Sequence, residues 1–292
     1  MTFDILYDIH NIPKDTCDEC DTLFFSKLKP MQKGGKSVSA LNDYISSYAP
    51  ASYTLEKLPL MHSCDCSACR QIIRGGSLEV RDCKVFKEKL LYFFYGKPSY
   101  PVSEKITTNR TDFEYCPVCF IVPLDKVSLY KIHPFDTGAF DANMYKDFFH
   151  HSMSIEEFEL DNTVDSILQY IKVFYGNNDN YICGKATIAS STDDPCINGL
   201  INLLTATGAF QFDERANTVE IMSSTSVPIN TVVECIILPE NLLRVPFIAK
   251  YLNDNKIFHM EYTVRLRTAP SRYNEVVFEK AMEYIKMRKG GV

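Results

Sequence analysis

Stretches of consecutive apolar residues and stretches with helical spacing succeed one another along the chain. Ser154 stands three residues before Glu157, as in a capping box, and apolar residues at helical intervals follow. A second helix is predicted at 274–289, where basic residues at the carboxyl end suit the helix dipole. Buried strands are predicted for three apolar runs: LLYFFY (90–95), CFIVPL (119–124) and VVECIILP (232–239). A further strand is predicted for TVEIMSS (218–224). Strands with interspersed helices predict an α+β fold.

The same patterns predict how the chain is organised. Residues 1–55 lack a sustained period and contain a Gly pair among lysines, which predicts an irregular N-terminal extension. Residues 56–292 carry the strands and are predicted to form one domain. The helical pattern at about 154–176 is predicted to be an insertion in that domain.

Composition narrows the function classes. The 292 residues include 31 basic and 37 acidic side chains, a net charge of −6, so the overall charge does not favour nucleic acid or anionic membranes. The first residues are not basic and precede no long apolar run, which predicts a cytoplasmic protein without a membrane partner. Glycine-rich phosphate loops of the GxGxxG and GxxxxGK[ST] types are absent, which argues against kinases and Rossmann oxidoreductases.

Eleven cysteines are many for a cytoplasmic protein, and their odd number favours free thiols over disulfides. Two sulfurs spaced as CxxC can turn towards one zinc ion, so a structural zinc remains an alternative, although we do not predict one. The candidate ligands are Cys17, Cys20, Cys66, Cys69, Cys116 and Cys119.

Four local patterns occur in a fixed order. A strand ends in His62-Ser63, a helix closed by Gly75-Gly76 follows, an aromatic strand ends at Tyr95, and Glu234 stands in VVECIILP. This order resembles the ADP-ribosyltransferase superfamily, in its His–Tyr–Glu branch and nearest the DarT-like enzymes that modify nucleic acid. The resemblance covers about residues 58–100 and 217–247. It implies a pair of antiparallel sheets around a cleft.

The resemblance also implies an activity and the residues for it. The substrate would be NAD, and Glu234 would be the catalytic carboxylate, stabilising positive charge on the ribose as in glycoside chemistry. His62 and Ser63 would hold a ribose, and Tyr95 or Tyr100 would stack on nicotinamide. The pyrophosphate would meet Arg74 or Lys97. Such enzymes occur in bacterial toxins and phage defence, where a neutralising or regulatory partner protein is expected.

The acceptor of ADP-ribose stays open between nucleic acid and protein. Lysines that could face nucleic acid follow the helix: Lys84, Lys87, Lys89, Lys97 and Lys105. Transfer to water would make the protein an NAD glycohydrolase instead. Alternation along its strand could also turn Glu234 to solvent, which would suit a non-catalytic interaction module that retains the fold.

A different class of enzyme is suggested by Asp136-Thr137-Gly138-Ala139, the DTGA string of aspartic proteases. Only one copy occurs, so a protease would need a homodimer. The competing interpretations are that Asp136 is a turn residue that binds its own backbone, or that its loop lines the cleft.

Overall fold

The computed structural model describes residues 39–50, 52–99, 113–188, 192–206, 214–265 and 268–290. Tyr100, Lys105, Cys17 and Cys20 lie outside these ranges. The first half of the chain forms α1 (Ala40–Tyr48), β1 (Leu60–Asp65), α2 (Cys66–Gly75), β2 (Ser77–Leu78), β3 (Arg81–Asp82), β4 (Lys89–Tyr95), β5 (Pro117–Val122), β6 (Lys131–His133) and α3 (Thr137–Asp141).

The second half continues with α4 (Val164–Tyr175), α5 (Asn178–Ile182), α6 (Pro195–Thr205), β7 (Glu220–Ser223), β8 (Val227–Pro228), α7 (Ile229–Val232), β9 (Cys235–Pro239), α8 (Glu240–Leu243), α9 (Pro246–Asp254), β10 (Phe258–Tyr262) and α10 (Tyr273–Lys289). Short 3₁₀ helices include Ile155–Phe158 and Glu214–Asn217.

An eight-stranded sheet runs in the order β10-β9-β5-β1-β4-β7-β6, with β3 added beside β4. All its pairs are antiparallel except β9–β10, which is parallel and joined through α8 and α9. A second sheet consists of β2 and β8. β5 and β9 are buried along their whole length, as their apolar sequences predict. The predicted α+β class with antiparallel sheets is confirmed, although the two sheets are very unequal in size.

β1 and β4 separate soon after they pair. β1 pairs with β5 at all six of its residues, but with β4 only at Leu60 and Met61. From His62 onwards a gap therefore opens between β1 and β4. At the far end of β4, Gly96 turns the chain with φ +70°, and a Cβ there would lie 2.6 Å from Leu58 Cδ1. Glycine is required at this close approach.

Helices occupy the region of the predicted insertion. The capping box of Ser154 and Glu157 is present, but it caps a 3₁₀ turn, and α4 begins only after its own N-cap, Thr163.

Irregular chain was predicted up to residue 55, yet residues 40–48 form α1. The hydroxyl of Ser39 caps this helix, and α1 buries Leu41, Tyr44 and Ile45. The division into an extension and a domain stays a prediction.

A buried ion pair ties the end of β4 to the 3₁₀ turn before β7. The Lys97 ammonium is fully buried and lies 2.9 Å from Glu214 Oε2 and 2.7 Å from Asn217 Oδ1. It also lies 5.0 Å from the centroid of the Tyr181 ring. Burial lowers the pKa of Lys97, and the Glu214 carboxylate opposes this shift. Lys97 is therefore a structural cation, and its ammonium is not available to the pyrophosphate that the resemblance suggested for it.

No helix among the described residues is long and apolar enough to cross a membrane.

Candidate functional site

A cavity of about 290 Å³ lies where β1 and β4 separate. Its walls come from β1, the first turn of α2, the segment around β3 and the start of β4. The residues that line it include His62, Ser63, Glu79, Arg81 and Tyr92. Of the residues suggested by the sequence, the structure thus brings His62 and Ser63 together in one concave site.

His62 is a fixed, neutral imidazole in this cavity. Its Nδ1 lies 2.8 Å from the Tyr92 carbonyl oxygen, which can only accept, so Nδ1 carries the proton. Burial lowers the pKa of His62, the bond to Tyr92 opposes this, and the Arg81 charge lowers the pKa further. Nε2 then presents a lone pair and makes no hydrogen bond within the described residues. It can accept a hydrogen bond from a ligand hydroxyl.

Two opposite charges stand at the rim. Arg81 of β3 is exposed and forms no ion pair in the part of the chain that the structure describes. Glu79 accepts hydrogen bonds from the Ser77 hydroxyl and, at 2.5 Å, from the Ser226 hydroxyl. These bonds lower the pKa of Glu79. The rim therefore offers a free guanidinium for an anion beside a carboxylate whose orientation is fixed.

A buried carboxylate lies on the same side of β1 as the cavity. Glu220 begins β7 and is only 3% exposed, and its Oε2 accepts hydrogen bonds from Thr137 N at 3.0 Å and Thr137 Oγ1 at 2.7 Å. Burial raises the pKa of Glu220 and the charge of Asp136 adds to this, while the Thr137 bonds oppose it. A carboxyl group so well shielded from solvent stabilises a nearby positive charge strongly once it has lost its proton.

The register places the backbones of Glu220 and His62 two strands apart, with their side chains on opposite faces of the sheet. Met61, Phe94 and Glu220 form one row across β1, β4 and β7 and share a face with Tyr92, whereas His62, one residue after Met61, projects from the other face. Because neighbouring strands lie about 4.8 Å apart, the backbones of His62 and Glu220 are about 10 Å apart. Tyr92 connects the two places, since it lines the cavity and its pKa is raised mainly by burial and also by the Glu220 charge.

Glu234 does not reach this cavity. It precedes β9, which lies on the opposite side of β1 from β4. Its carboxylate accepts a hydrogen bond from the Tyr284 hydroxyl at 3.0 Å and pairs with Arg288 at 3.3 Å. Both partners belong to α10, which packs against β5 and β9. The structure therefore joins Glu234 to the C-terminal helix and does not bring it together with His62.

Tyr95 and Arg74, two further residues suggested by the sequence, also lie outside the cavity of His62. The Tyr95 ring is fully buried, and its hydroxyl accepts a hydrogen bond from Leu58 N at 2.8 Å, so it offers no face for stacking. Arg74 is exposed near the end of α2, with its guanidinium 4.7 Å from the centroid of the Phe247 ring. Neither residue lines the cavity of His62.

Asp136 of the DTGA string is the N-cap of α3. Its Oδ1 accepts a hydrogen bond from Ala139 N at 2.7 Å, and the residue is 4% exposed. This is the interpretation in which the side chain binds its own backbone. The same string supplies Thr137, which holds Glu220, so it contributes to the candidate site through its threonine.

The nine cysteines of the described ranges are free thiols, and seven of them are buried. Burial raises the pKa of Cys66, Cys69, Cys116 and Cys119, which keeps these thiols protonated. Within the same ranges, no three or more His, Cys, Asp or Glu residues are grouped so that they could hold a metal ion.

Comparison with known structures finds a loose likeness to DarT of Thermus sp. 2.9. The DarT complex with NAD⁺ has a TM-score of 0.37 and 9% identity, covering 72% of this chain and 98% of that chain. The complex with ADP-ribosylated ssDNA has a TM-score of 0.35 and 10% identity, covering 73% and 97%. No family model and no curated protein sequence matches the chain.

Sequence reasoning missed Arg81, Tyr92 and Glu220. The signal for Glu220 was present, because TVEIMSS was predicted as a strand and a charged residue at the start of a buried strand needs a reason. Nothing local marked Arg81, which reaches the site only because β3 pairs with β4 at the edge of the cavity.

Proposed function

We propose that this protein cleaves NAD at the bond between nicotinamide and ribose and transfers ADP-ribose to a macromolecular acceptor. One observation carries the proposal: the cavity lined by His62 is also lined by Tyr92, and Tyr92 shares the face of the sheet on which the preorganised carboxyl group of Glu220 is held. An ADP-ribosyl transferase needs a pocket for a dinucleotide and a fixed negative charge beside the reacting ribose.

His62 and Arg81 are the binding groups in this proposal. The lone pair of His62 Nε2 accepts a hydrogen bond from a ribose hydroxyl, and the Arg81 guanidinium pairs with the pyrophosphate. A cavity of about 290 Å³ holds part of a dinucleotide, so the rest lies across the open rim. His62 and Ser63 thereby keep the roles that the sequence suggested, and Arg81 takes the role suggested for Arg74.

Glu220 takes the role of the catalytic carboxylate in place of Glu234. When the glycosidic bond breaks, its electron pair leaves with nicotinamide and positive charge develops on the ribose. The Glu220 carboxylate stabilises that charge more in the transition state than in the ground state. The acceptor then bonds to the anomeric carbon and loses its proton to solvent.

The acceptor that fits the surface best is nucleic acid. Lys84, Lys87 and Lys89 are exposed on the β3–β4 hairpin, next to Arg81 at the rim. Residues 81–89 carry four basic and two acidic side chains on a protein whose net charge is −6, and phosphates bind segments with such a basic excess. NAD⁺ and ADP-ribosylated ssDNA are the ligands named for the DarT structures. A toxin or phage-defence setting with a regulatory partner protein belongs to the same proposal.

The direct test supplies labelled NAD to the purified protein with separate pools of single-stranded DNA, RNA and protein. We expect released nicotinamide and label on the nucleic acid. Nicotinamide without labelled macromolecule would identify a glycohydrolase instead, and the absence of nicotinamide from every pool would contradict the proposed activity.

We expect Arg81→Met to raise the KM for NAD by about 10- to 100-fold, because a charged hydrogen bond contributes about 1.5–3 kcal/mol. Steady-state kinetics of nicotinamide release measure this change. Arg244→Met is the matched control, since Arg244 is exposed and, among the described residues, forms an ion pair only with Glu240, four residues earlier. Equal KM values for the two variants would show that Arg81 does not bind the substrate.

The rate of nicotinamide release should continue to rise with pH at pH values well above 4.5, which is the ordinary pKa of a glutamate. Glu220 has a raised pKa in the folded state and must lose its proton to stabilise a cation. Above pH 4.5, Glu220 of the folded protein still holds a proton that the unfolded chain has released. The contribution of Glu220 to the free energy of unfolding therefore falls as the pH rises above 4.5. Denaturation at several pH values measures this, and Glu220→Gln should remove that part of the pH dependence.

A further inference from the structure

His133 is buried with both ring nitrogens unpaired. The residue is 0% exposed, and neither Nδ1 nor Nε2 has a hydrogen-bond partner among the described residues. Burial lowers the pKa of His133 to about 3, so the ring is neutral, with one N–H donor and one acceptor. Leaving buried donors and acceptors unpaired destabilises a fold. Such a group needs an explanation.

Its position connects it to the candidate site. His133 of β6 is directly paired with Glu220 of β7, and paired residues in an antiparallel ladder project from the same face. Phe94 of β4 completes this row on the other side of Glu220. A ligand whose reacting ribose lies beside Glu220 would therefore bring its leaving group within reach of His133.

The loop 83–88 covers this face. The Phe86 ring centroid lies 5.6 Å from that of His133, and the Tyr92 hydroxyl is 2.6 Å from the Cys83 sulfur. Cys83, Leu90 and Met222 form a small cluster separate from the main core. Val85, Phe86 and Tyr92 pack against this cluster, and because the cluster is separate from the main core, moving the loop costs less than opening the core. Tyr92 borders both the loop and the cavity, so displacing the loop would extend the cavity towards Glu220.

We propose that His133 is a substrate-binding residue, which binds the carboxamide of the nicotinamide group of NAD once the loop 83–88 has moved. A carboxamide carries N–H donors and a carbonyl acceptor, so it can pair with whichever nitrogen of the neutral imidazole faces it, whether that nitrogen donates or accepts. This inference rests on the proposed function and adds the residue that recognises the leaving group.

The test compares His133→Phe and His133→Asn with the parent for two ligands, NAD and ADP-ribose, which lacks nicotinamide. We expect His133→Phe to weaken NAD binding about tenfold and to leave ADP-ribose binding unchanged. The Phe variant should be at least as resistant to urea as the parent, because it removes two unpaired polar atoms. Asparagine retains a donor and an acceptor, so His133→Asn should restore most of the NAD affinity. His150→Phe, at an exposed position, is the control.

A Phe variant that unfolds more easily yet binds NAD like the parent would overturn the inference, since His133 would then be a structural group satisfied by buried water. An equal loss for NAD and ADP-ribose would also overturn it. Failure of the proposed function is distinguishable, because there the parent itself would release no nicotinamide or Glu220→Gln would leave the release unchanged.

Discussion

Glu220→Gln should lower the rate of nicotinamide release by about 10²- to 10³-fold, the usual effect of removing one preorganised electrostatic group. Glutamine keeps the shape and can still accept the two hydrogen bonds from Thr137. It also needs no charge in a buried position, where the carboxylate has a raised pKa. The variant should therefore fold like the parent and bind NAD with a similar affinity. Single-turnover measurement of free nicotinamide separates the chemical step from binding.

Glu234→Gln is the matched control, because this residue was the catalytic candidate in the sequence and its carboxylate is held by Tyr284 and Arg288. We expect that variant to keep most of the activity. If Glu234→Gln lost the activity and Glu220→Gln retained it, the assignment of the carboxylate would revert to Glu234, and the cavity between β1 and β4 would no longer explain the chemistry.

Lys97→Met should lower the free energy of unfolding by about 3 kcal/mol, because breaking a buried ion pair leaves its other member without compensation. In this variant Glu214 and Asn217 lose the ammonium that joins them to the end of β4. The Glu214 side chain is 25% exposed, which places the expected loss at the lower end of the range for buried pairs. Urea denaturation measures the change.

Lys250→Met gives the comparison for that experiment. Lys250 pairs with Asp254 within one helix turn, and both side chains are mostly exposed. Exposed pairs contribute about 0–1 kcal/mol, so this variant should unfold almost like the parent. Equal destabilisation of both variants would contradict the structural role of Lys97.

The sequence predicted which segments form helices and strands better than it predicted which strands lie side by side in the sheet. Apolar runs such as the one around Phe120 identify buried strands, because only strands in the centre of a sheet are apolar on both faces. The pattern around His62 and the Gly75-Gly76 stop likewise predicted a strand followed by a helix, and both are present. These signals are local, since each depends on residues close together in the chain.

The order of the strands across the sheet could not be predicted from such local patterns. Glu220 and Glu234 both stand in predicted strands, and nothing in either segment tells which strand lies beside β4. The choice depends on pairing between residues more than a hundred positions apart, as between Phe94 and Glu220. Glu234 therefore lies on the other side of β1 from the cavity, while His62 and Ser63, identified by local pattern, line it.

The pairing of β4 with β7 has a consequence for protein synthesis. A chain that leaves the ribosome from its N-terminus presents β1, β4 and β5 long before β7 exists. Until about residue 223 has emerged, one long edge of β4 has no β7 to cover it, and exposed strand edges invite pairing with other chains. Ribosome-bound chains ending just before β7 should therefore be the ones that recruit chaperones most strongly.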